Sequence, residues 1–294
     1  MSVEVFLNLV LNGVFEGVII ALGALGLTLV FGVARFPNAA AGDVMTIGAY
    51  AALGVQALAG GLAGGLVFMG GAAMAASALV AVAAHLAIFR KLAGRTAVAL
   101  LVASIGLAFL LRCLIMLAVG HDQKVFAMPI LRAIPIGPVR VAPTDLWILA
   151  AAAVLLAGSF ALLHLTPIGR KMRAVADNPA LARASGIDVD RVMLAMWVIF
   201  GALSGAAGLL LGVKTVVTPE MGWDLLLPAF AATILGSIGN PVGAVVGGVL
   251  MGVAQEVSTP FVGFTYKIGV GFLVMVLILL VRPQGLFARD ADVR

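Results

Sequence analysis

TPIGRKMRAVADNPALARASGIDVDR, residues 166–191, is a strongly charged stretch between two long apolar regions. It carries eight charged side chains, while the whole chain of 294 residues has only 18 basic and 13 acidic ones. A polar segment between apolar runs is typical of an aqueous loop that connects membrane-spanning helices. We therefore predict one large water-exposed loop on a chain that otherwise lies in lipid.

The composition of the chain excludes a soluble globular protein. Hydrophobic residues make up 63% of the sequence and charged residues 11%, and the mean hydropathy is +1.19. Too little polar surface remains to cover a water-soluble fold. The net charge of +5 is explained by Lys and Arg gathered on one side of a bilayer, so we expect membrane lipid, and not nucleic acid, as a partner. The lone cysteine, Cys113, excludes a disulfide framework.

The apolar runs predict the fold class. A helix rises 1.5 Å per residue, so about 20 apolar residues cross the hydrocarbon core of a bilayer. By that measure the sequence predicts an all-α, polytopic transmembrane helical bundle, with residues 1–294 forming a single transmembrane domain. About nine spans are expected, some of them short or broken half-helices, at 5–33, 42–59, 62–88, 97–119, 145–165, 192–213, 225–238, 241–258 and 265–281.

The positions of Lys and Arg predict the orientation, because these residues favour the cytoplasmic side. With the N-terminus outside, the inner loops hold Arg35, Arg90, Lys91, Arg95, Arg170, Lys171, Arg173, Arg183, Arg191, Arg282, Arg289 and Arg294. The outer side then holds only Lys124, Arg132, Arg140, Lys214 and Lys267. We therefore predict an outer N-terminus, a cytoplasmic C-terminus and a cytoplasmic loop at 166–191.

Two interruptions point toward a transport pathway. Only Gly239 and Asn240, followed by Pro241, separate the short segments 225–238 and 241–258. A second break lies at 36–42, FPNAAAG, where Pro37 ends one helix and Asn38 caps the next. Unwound backbone is tolerated inside a membrane only where protein or water satisfies it. Ordinary short loops at the membrane surface remain the alternative, and the sequence leaves open whether 225–238 and 241–258 cross fully or are re-entrant.

Ionisable residues inside spans are the first candidates for a solute path, because charge in lipid is costly and commonly faces a cavity or a partner. Glu16 lies near the middle of the first span and is expected either to contact a solute or to pair with Arg112. Asp43 either lines the path or complements a helix dipole, and Arg112 either lines the path or extends to the interface. Glu256 and Lys267 flank the last outer turn and are expected to form an exposed pair. Three neutral hydrogen-bonding residues complete the candidate set: Thr28, Ser104 and Asn240.

Five segments resemble the permeases of branched-chain amino-acid ABC transporters. They are ALGLTLVFGVARFPNAAAGDVMTIGAY (24–50), VASIGLAFLLR (102–112), GRKMRAVADNPALARASGIDVDRV (169–192), LGSIGNPVGAVVGGVLMGVAQE (235–256) and RPQGLF (282–287). The resemblance implies a bacterial inner-membrane permease that works with a second related permease subunit or a second copy of itself. It further implies two ATP-hydrolysing ABC subunits and a periplasmic solute-binding protein.

The chain itself is not expected to be an enzyme. It has no G-x-x-x-x-G-K-[ST] motif, so it cannot cradle nucleotide phosphates by the P-loop mechanism. No His, Cys or acid cluster with the spacing of a catalytic triad or metal site occurs among the spans. We therefore predict no catalytic residue, no metal and no cofactor, and we place ATP hydrolysis in partner subunits.

The resemblance makes the 166–191 loop a coupling segment that contacts the ATPase. Asn178 is expected to cap a short helix with Pro179 in its first turn, and Gly186 to end it. In this helix Arg183 should point outward, with Leu181 and Ala182 inward. The candidate coupling residues are Arg170, Arg173, Asn178, Pro179, Ala182, Arg183 and Gly186. A solvated loop that only enforces topology is the alternative.

The chain departs from the resembled family at the start of the second span. Where those permeases carry a segment such as NFAHGE, this sequence has Asn38, Ala41, Gly42 and Asp43. Branched-chain or other small amino acids therefore stand beside urea, short amides and small organic acids as candidate solutes. A self-sufficient secondary transporter or channel for a small neutral solute is the rival from another class.

Overall fold

The computed structural model describes residues 3–58, 65–128, 132–137 and 139–287, and most of them are helical. The helices are α1 (Val3–Ala34), α2 (Ala41–Leu58), α3 (Gly65–Ala84), α4 (Ala97–Val119), α5 (Pro143–Leu165), α6 (Pro167–Asp177), α7 (Pro179–Ala184), α8 (Val189–Lys214), α9 (Met221–Leu235), α10 (Pro241–Val262) and α11 (Lys267–Val281). A π-helical turn, His85–Phe89, continues α3, and a 3₁₀ turn, Phe264–Tyr266, precedes α11. One small hairpin pairs β1 (Ile134–Ile136) with β2 (Val139–Val141). The predicted all-α polytopic bundle is confirmed.

Each predicted span coincides with a helix, although residues 59 and 62–64 of two of them lie outside the described part of the chain, as do Arg289 and Arg294. Within the described ranges, six helices are long and apolar enough to cross a membrane: α1, α3 with its π turn, α4, α5, α8 and α10. The predicted shortness of the segment at 241–258 is wrong, because α10 continues through Pro260 to Val262 and has 22 residues. The short apolar helices are α9 and α11, with 15 residues each.

Helix α1 lies at the centre of the bundle and packs antiparallel along α10. A Cβ atom added at Gly13 would come within 2.6 Å of the Val253 Cα atom, and one at Gly17 within 2.7 Å of the Val249 Cα atom. The two backbones are therefore in direct contact, as expected of the small residues in these helices. Gly239 has a different role from these helix-contact glycines. It lies in the turn before α10 with φ +83°, a conformation that favours glycine.

Burial separates an inner from an outer set of helices. In α1 and α8, 83% and 67% of the most apolar window is buried inside the chain. In α4 and α5 the corresponding fractions are only 28% and 17%. The outer faces of α4 and α5 are therefore left for lipid or for another subunit.

The two ends of α1 hold different structures. Near its start, the amide of Arg140 in the hairpin donates to Oδ1 of Asn8. At its end, Arg35 contacts the last turn of α6. A 32-residue helix is about 48 Å long, so the hairpin and the α6–α7 pair lie at opposite ends of the bundle.

Candidate translocation path and coupling surface

A buried charge cluster joins α1, α10 and α11. Nζ of Lys267 donates to both carboxylate oxygens of Glu16, at 3.1 and 3.0 Å, and to Oε1 of Glu256 at 2.9 Å. The side chains of Lys267, Glu16 and Glu256 are 10%, 20% and 17% exposed. The alternative that Glu16 pairs with Arg112 is therefore wrong, because Lys267 occupies its carboxylate. The predicted Glu256–Lys267 pair forms, but it is largely buried and not exposed.

Lys214, the last residue of α8, lies close to this cluster. Its Nζ atom is buried and makes no hydrogen bond within the described ranges. It lies 5.9 Å from the centre of the Phe15 ring, which offers a partial substitute through a cation–π contact. The C-terminal end of α8 thus contacts α1 through this cation–π interaction in addition to apolar packing.

Asp43 and Arg112 form a second buried ion pair, between α2 and α4. Nε of Arg112 lies 3.1 Å from Oδ1 of Asp43, and the second guanidinium contact to Oδ2 is 3.4 Å. The Asp43 side chain is 1% exposed and that of Arg112 16%. The guanidinium also lies 5.2 Å from the Trp223 ring centre. Asp43 does lie in the first turn of α2, and its carboxylate binds the Arg112 guanidinium.

The break between α1 and α2 uses two of the predicted pathway residues for its own hydrogen bonds. Oδ1 of Asn38 accepts from the Ala40 amide at 3.1 Å, just before α2 begins. Oγ of Ser104 in α4 accepts from the Ala39 amide at 3.0 Å and donates to the Leu101 carbonyl at 2.7 Å. Both side chains are buried, and both satisfy an unwound backbone inside the bundle.

The turn between α9 and α10 uses the other two neutral candidates. The Gly239 amide donates to Oγ1 of Thr28 at 3.0 Å. Oδ1 of Asn240 accepts from the amides of Val242 and Gly243, both at 3.1 Å, so Asn240 caps α10. A cavity of about 100 Å³ lies beside this turn, with walls that include Thr28, Gly32, Leu163, His164, Arg173 and Gly239.

The seven candidate pathway residues therefore fall in three regions. Glu16 lies in the charge cluster near the hairpin end, while Thr28 and Asn240 lie at the α9–α10 turn. The remaining four, Asn38, Asp43, Ser104 and Arg112, gather around the start of α2. One described chain thus does not bring all seven to a single surface, and their role in a path stays a prediction. No group of three or more His, Cys, Asp and Glu side chains that could hold a metal occurs in the described ranges.

The coupling segment contains two helices, of which the sequence predicted only the second. The Oδ1 atom of Asn178 accepts from the amides of Ala180 and Leu181 at 3.0 and 3.1 Å, Pro179 is the first residue of α7, and Gly186 follows its end with φ +80°. These helix signals are confirmed. The predicted inward direction of Leu181 is wrong, because Leu181 is 63% exposed, while Ala182 is 4% exposed.

Helix α6 holds this segment against the bundle. The hydroxyl of Thr166 caps its first turn, and its inner face buries Gly169, Met172 and Val175. A Cβ atom at Gly169 would collide with the carbonyl oxygen of Leu163, so the elbow between α5 and α6 requires glycine. The predicted coupling arginines Arg170, Arg173 and Arg183 are all exposed. Arg173 also donates a hydrogen bond to the Leu163 carbonyl at 2.6 Å.

Sequence reasoning missed Arg35 as part of this site. Its Nη2 atom donates to the carbonyl oxygens of Ala176 and Asp177, at 2.7 and 3.0 Å. The partners are 141 and 142 residues away along the chain, so no local pattern reveals the contact. By contrast, a local signal for α6 exists in Thr166 and Pro167, a capping residue followed by proline at the first helical position.

The family of the chain is shown by comparison with known proteins. A family model described as the permease component of branched-chain amino acid transport systems matches residues 9–281, and the chain belongs to this family. The LivH permease protein of a high-affinity branched-chain amino acid transport system from Escherichia coli K12 is 32% identical, with 97% of this chain and 96% of that protein covered. The BraD permease protein of the corresponding system from Pseudomonas aeruginosa is 31% identical at the same coverage.

A likeness in three dimensions extends across the same length. The solved structure of PsaBC from Streptococcus pneumoniae in complex with Fab matches with a TM-score of 0.50 and 15% sequence identity, and 95% of this chain and 92% of that chain are covered. At that identity the match supports the fold alone. The family and the six long apolar helices make the chain a multi-pass membrane permease subunit of an ABC transport system. In this system ATP hydrolysis lies in the partner subunits.

Proposed function

We propose that this chain forms half of the membrane path of an importer for branched-chain amino acids. The proposal is supported by relatives named for that transport, which align with nearly the whole chain. Residues 1–294 act as one permease domain in the bacterial inner membrane, with the N-terminus outside and the C-terminus in the cytoplasm. A second related permease, or a second copy of this chain, completes the path, and a periplasmic binding protein delivers the solute.

The pairing of the buried acids within the chain favours a path that lies between two permease subunits. Within the described chain, the carboxylates of Glu16 and Asp43 are already bound to Lys267 and Arg112. The poorly covered helices α4 and α5 leave apolar faces available. A path against such a face needs a second wall, which a partner permease supplies.

The observation that carries the proposed importer mechanism is the outward face of α7. This helix is capped at its start, rests on the bundle through Ala182, and presents Leu181 and Arg183 to solvent. An exposed apolar side chain beside a cation, on a rigid support, suits docking into a groove of an ATPase subunit. We assign each of two ATPase subunits to one such α6–α7 surface in the permease pair.

Docking is tested by placing a charge on this surface. We expect Leu181→Asp to weaken binding of the ATPase subunit by about tenfold, because an apolar anchor is replaced by an unpaired carboxylate. Binding is measured by titrating the purified ATPase onto the permease in nanodiscs. Val125→Asp is the matched control, because Val125 is also exposed, at 66%, but lies away from α7. Its neighbour Lys124 pairs with Val217, which follows the C-terminal end of α8. Equal binding of both variants would contradict the docking proposal.

The solute is tested with the complete transporter in proteoliposomes. We expect ATP-dependent uptake of radiolabelled leucine that unlabelled isoleucine and valine suppress. Suppression by urea, acetamide or a small organic acid, without suppression by the aliphatic amino acids, would replace the proposed solute. Uptake by the purified single chain without ATPase subunits would instead favour a secondary transporter or channel.

A further inference from the structure

Arg35 has a backbone conformation that an arginine rarely adopts. It follows the last residue of α1 with φ +59°, in the left-handed region. Helices commonly end on one residue in this region, and glycine is favoured there because it has no Cβ atom. Glycine would adopt this conformation without strain, so an arginine at position 35 has a cost in local stability.

The side chain of Arg35 bridges from α1 to the end of α6. The carbonyls of Ala176 and Asp177, which accept its two hydrogen bonds, belong to the last turn of α6 and have no partner within that helix. A cation at this end also complements the helix dipole. Arg35 is exposed, so the contact adds little to the stability of the folded chain. Its main consequence is mechanical, because it ties the coupling segment to the end of α1.

The residues after Arg35 have little freedom to absorb a movement of α6. Phe36 is 2% exposed and lies 5.1 Å from the Phe89 ring and 6.4 Å from the Trp197 ring, measured between centres. The amide of Ala39 is bound to Ser104 of α4. A displacement at residue 35 is therefore passed along a short, anchored segment to the start of α2.

The start of α2 contacts both α9 and α4. A Cβ atom at Gly42 would come within 2.5 Å of the Gly222 carbonyl oxygen, so the backbones of α2 and α9 touch. Thr46 accepts a hydrogen bond from the Gly222 amide at 3.1 Å. One residue after Gly42, Asp43 binds Arg112 of α4. A shift of the 35–43 segment thus changes the contacts of three membrane helices.

We propose that Arg35 is a positioning residue that transmits movement of α6 and α7 to the start of α2 during the import cycle. The inference rests on the proposed docking of an ATPase on α7, and it adds the route by which ATPase closure reaches the membrane helices. The path runs from the α6 carbonyls through the Arg35 guanidinium into the break, and ends at the Asp43–Arg112 pair. In this proposal the Asp43–Arg112 pair and the start of α2 move together between two positions, and this movement couples ATP hydrolysis to opening of the translocation path.

The test compares Arg35→Gly and Arg35→Lys in the complete transporter in proteoliposomes. ATP hydrolysis stimulated by the loaded binding protein and solute uptake are measured together, and the readout is solute imported per ATP. We expect Arg35→Gly to keep the thermal stability of the complex while its uptake per ATP falls about tenfold, in the range of ordinary coupling free energies. Arg35→Lys should recover part of the loss, because an ammonium group can still bind one carbonyl.

Two control variants separate transmission from strain and from charge. Ser237→Gly relieves the other positive φ of a described non-glycine residue, +79°, and removes one hydrogen bond to the Gln284 carbonyl. Arg95→Gln removes an exposed cation from the same predicted side, outside the 166–191 loop. Both should keep the ratio of uptake to ATP. An unchanged ratio in Arg35→Gly would overturn the inference, and so would a parallel loss of hydrolysis and uptake, since that indicates a role in docking.

A cross-link gives an independent decision if Arg35→Gly fails to assemble. Arg35→Cys/Asp177→Cys is made in a Cys113→Ser background and joined with a short bis-maleimide. Restored uptake per ATP after cross-linking supports transmission through this contact, whereas equal ratios before and after cross-linking overturn it. Failure of the proposed function looks different, because uptake by the unaltered transporter would then not depend on ATP at all.

Discussion

Lys267 is the cation that neutralises the buried cluster, because the carboxylates of Glu16 and Glu256 both bind its ammonium group. Glu16 and Glu256 both lie within 3.1 Å of its Nζ atom. Bringing three such groups out of water is costly, and their mutual attraction offsets the cost only while all three are present. The cluster therefore specifies how α1, α10 and α11 meet more than it stabilises them.

Removing the cation alone should be strongly destabilising. We expect Lys267→Met to lower the free energy of unfolding by roughly 2 kcal/mol, less than for a fully buried pair because the carboxylates keep some contact with solvent. The change is measured as the apparent unfolding temperature of the permease in detergent. Arg90→Met is the control, since its 3.7 Å pair with Asp190 has side chains 60% and 73% exposed. The triple variant Glu16→Gln/Glu256→Gln/Lys267→Met should recover part of the loss; no recovery would contradict this account.

The cost of an acid in lipid was enough to single out Glu16 from the sequence, but not to name its partner. Lys267 lies 251 residues away, and only the packing of α1 against α10 and of α10 against α11 brings the two together. Asp43 and Arg112 illustrate the same limit over 69 residues. Local chemistry predicts which residues need a partner, while the fold decides which partner they obtain.

Helix α7 depends on its cap more than most helices do. It has six residues, far below the length at which a helix is stable in water by itself. Two of its free amides are bound by the Asn178 side chain, and Ala182 is its buried contact. The presentation of Leu181 therefore rests on a single capping residue.

Asn178→Ala should loosen this helix without affecting the membrane bundle. Loss of the cap costs about 1 kcal/mol, so we expect amide exchange at Ala180 and Leu181 to accelerate about fivefold. The rates are measured by hydrogen exchange with mass spectrometry on the permease in nanodiscs. Asn178→Asp is the matched control, because aspartate caps equally well. Equal acceleration in both variants would show that the cap does not hold α7.

Element boundaries were predictable where the signal is local. Asn178, Pro179 and Gly186 define the limits of α7, and nine apolar runs define nine helices among the described residues. The elbow at Gly169 was missed because it depends on contact with the Leu163 carbonyl. The outward direction of Leu181 was missed because the face on which α7 rests is set by the neighbouring elements.

At the scale of the whole molecule, hydropathy and the distribution of Lys and Arg predict that the N-terminus lies outside and the 166–191 loop in the cytoplasm. This orientation can be tested because the hairpin and the α6–α7 pair lie at opposite ends of the bundle. Helix α1 is about 48 Å long, with the hairpin near its start and α6 at its end. Two exposed positions, Arg140 and Ser185, lie near these two ends. Cysteines placed there report which end faces which compartment.

We expect Arg140→Cys, in a Cys113→Ser background, to react with a membrane-impermeant maleimide in intact spheroplasts. Ser185→Cys should react only after the membrane is permeabilised, because Lys and Arg of the 166–191 loop favour retention on the cytoplasmic side. Uptake by each variant confirms that the labelled chains are assembled and active. The reverse pattern would place α7 outside, where no ATPase can reach it, and would remove both the docking surface and the route through Arg35. The expected pattern leaves the charge cluster around Lys267 in the outer half of the bundle, on the side from which the binding protein delivers its solute.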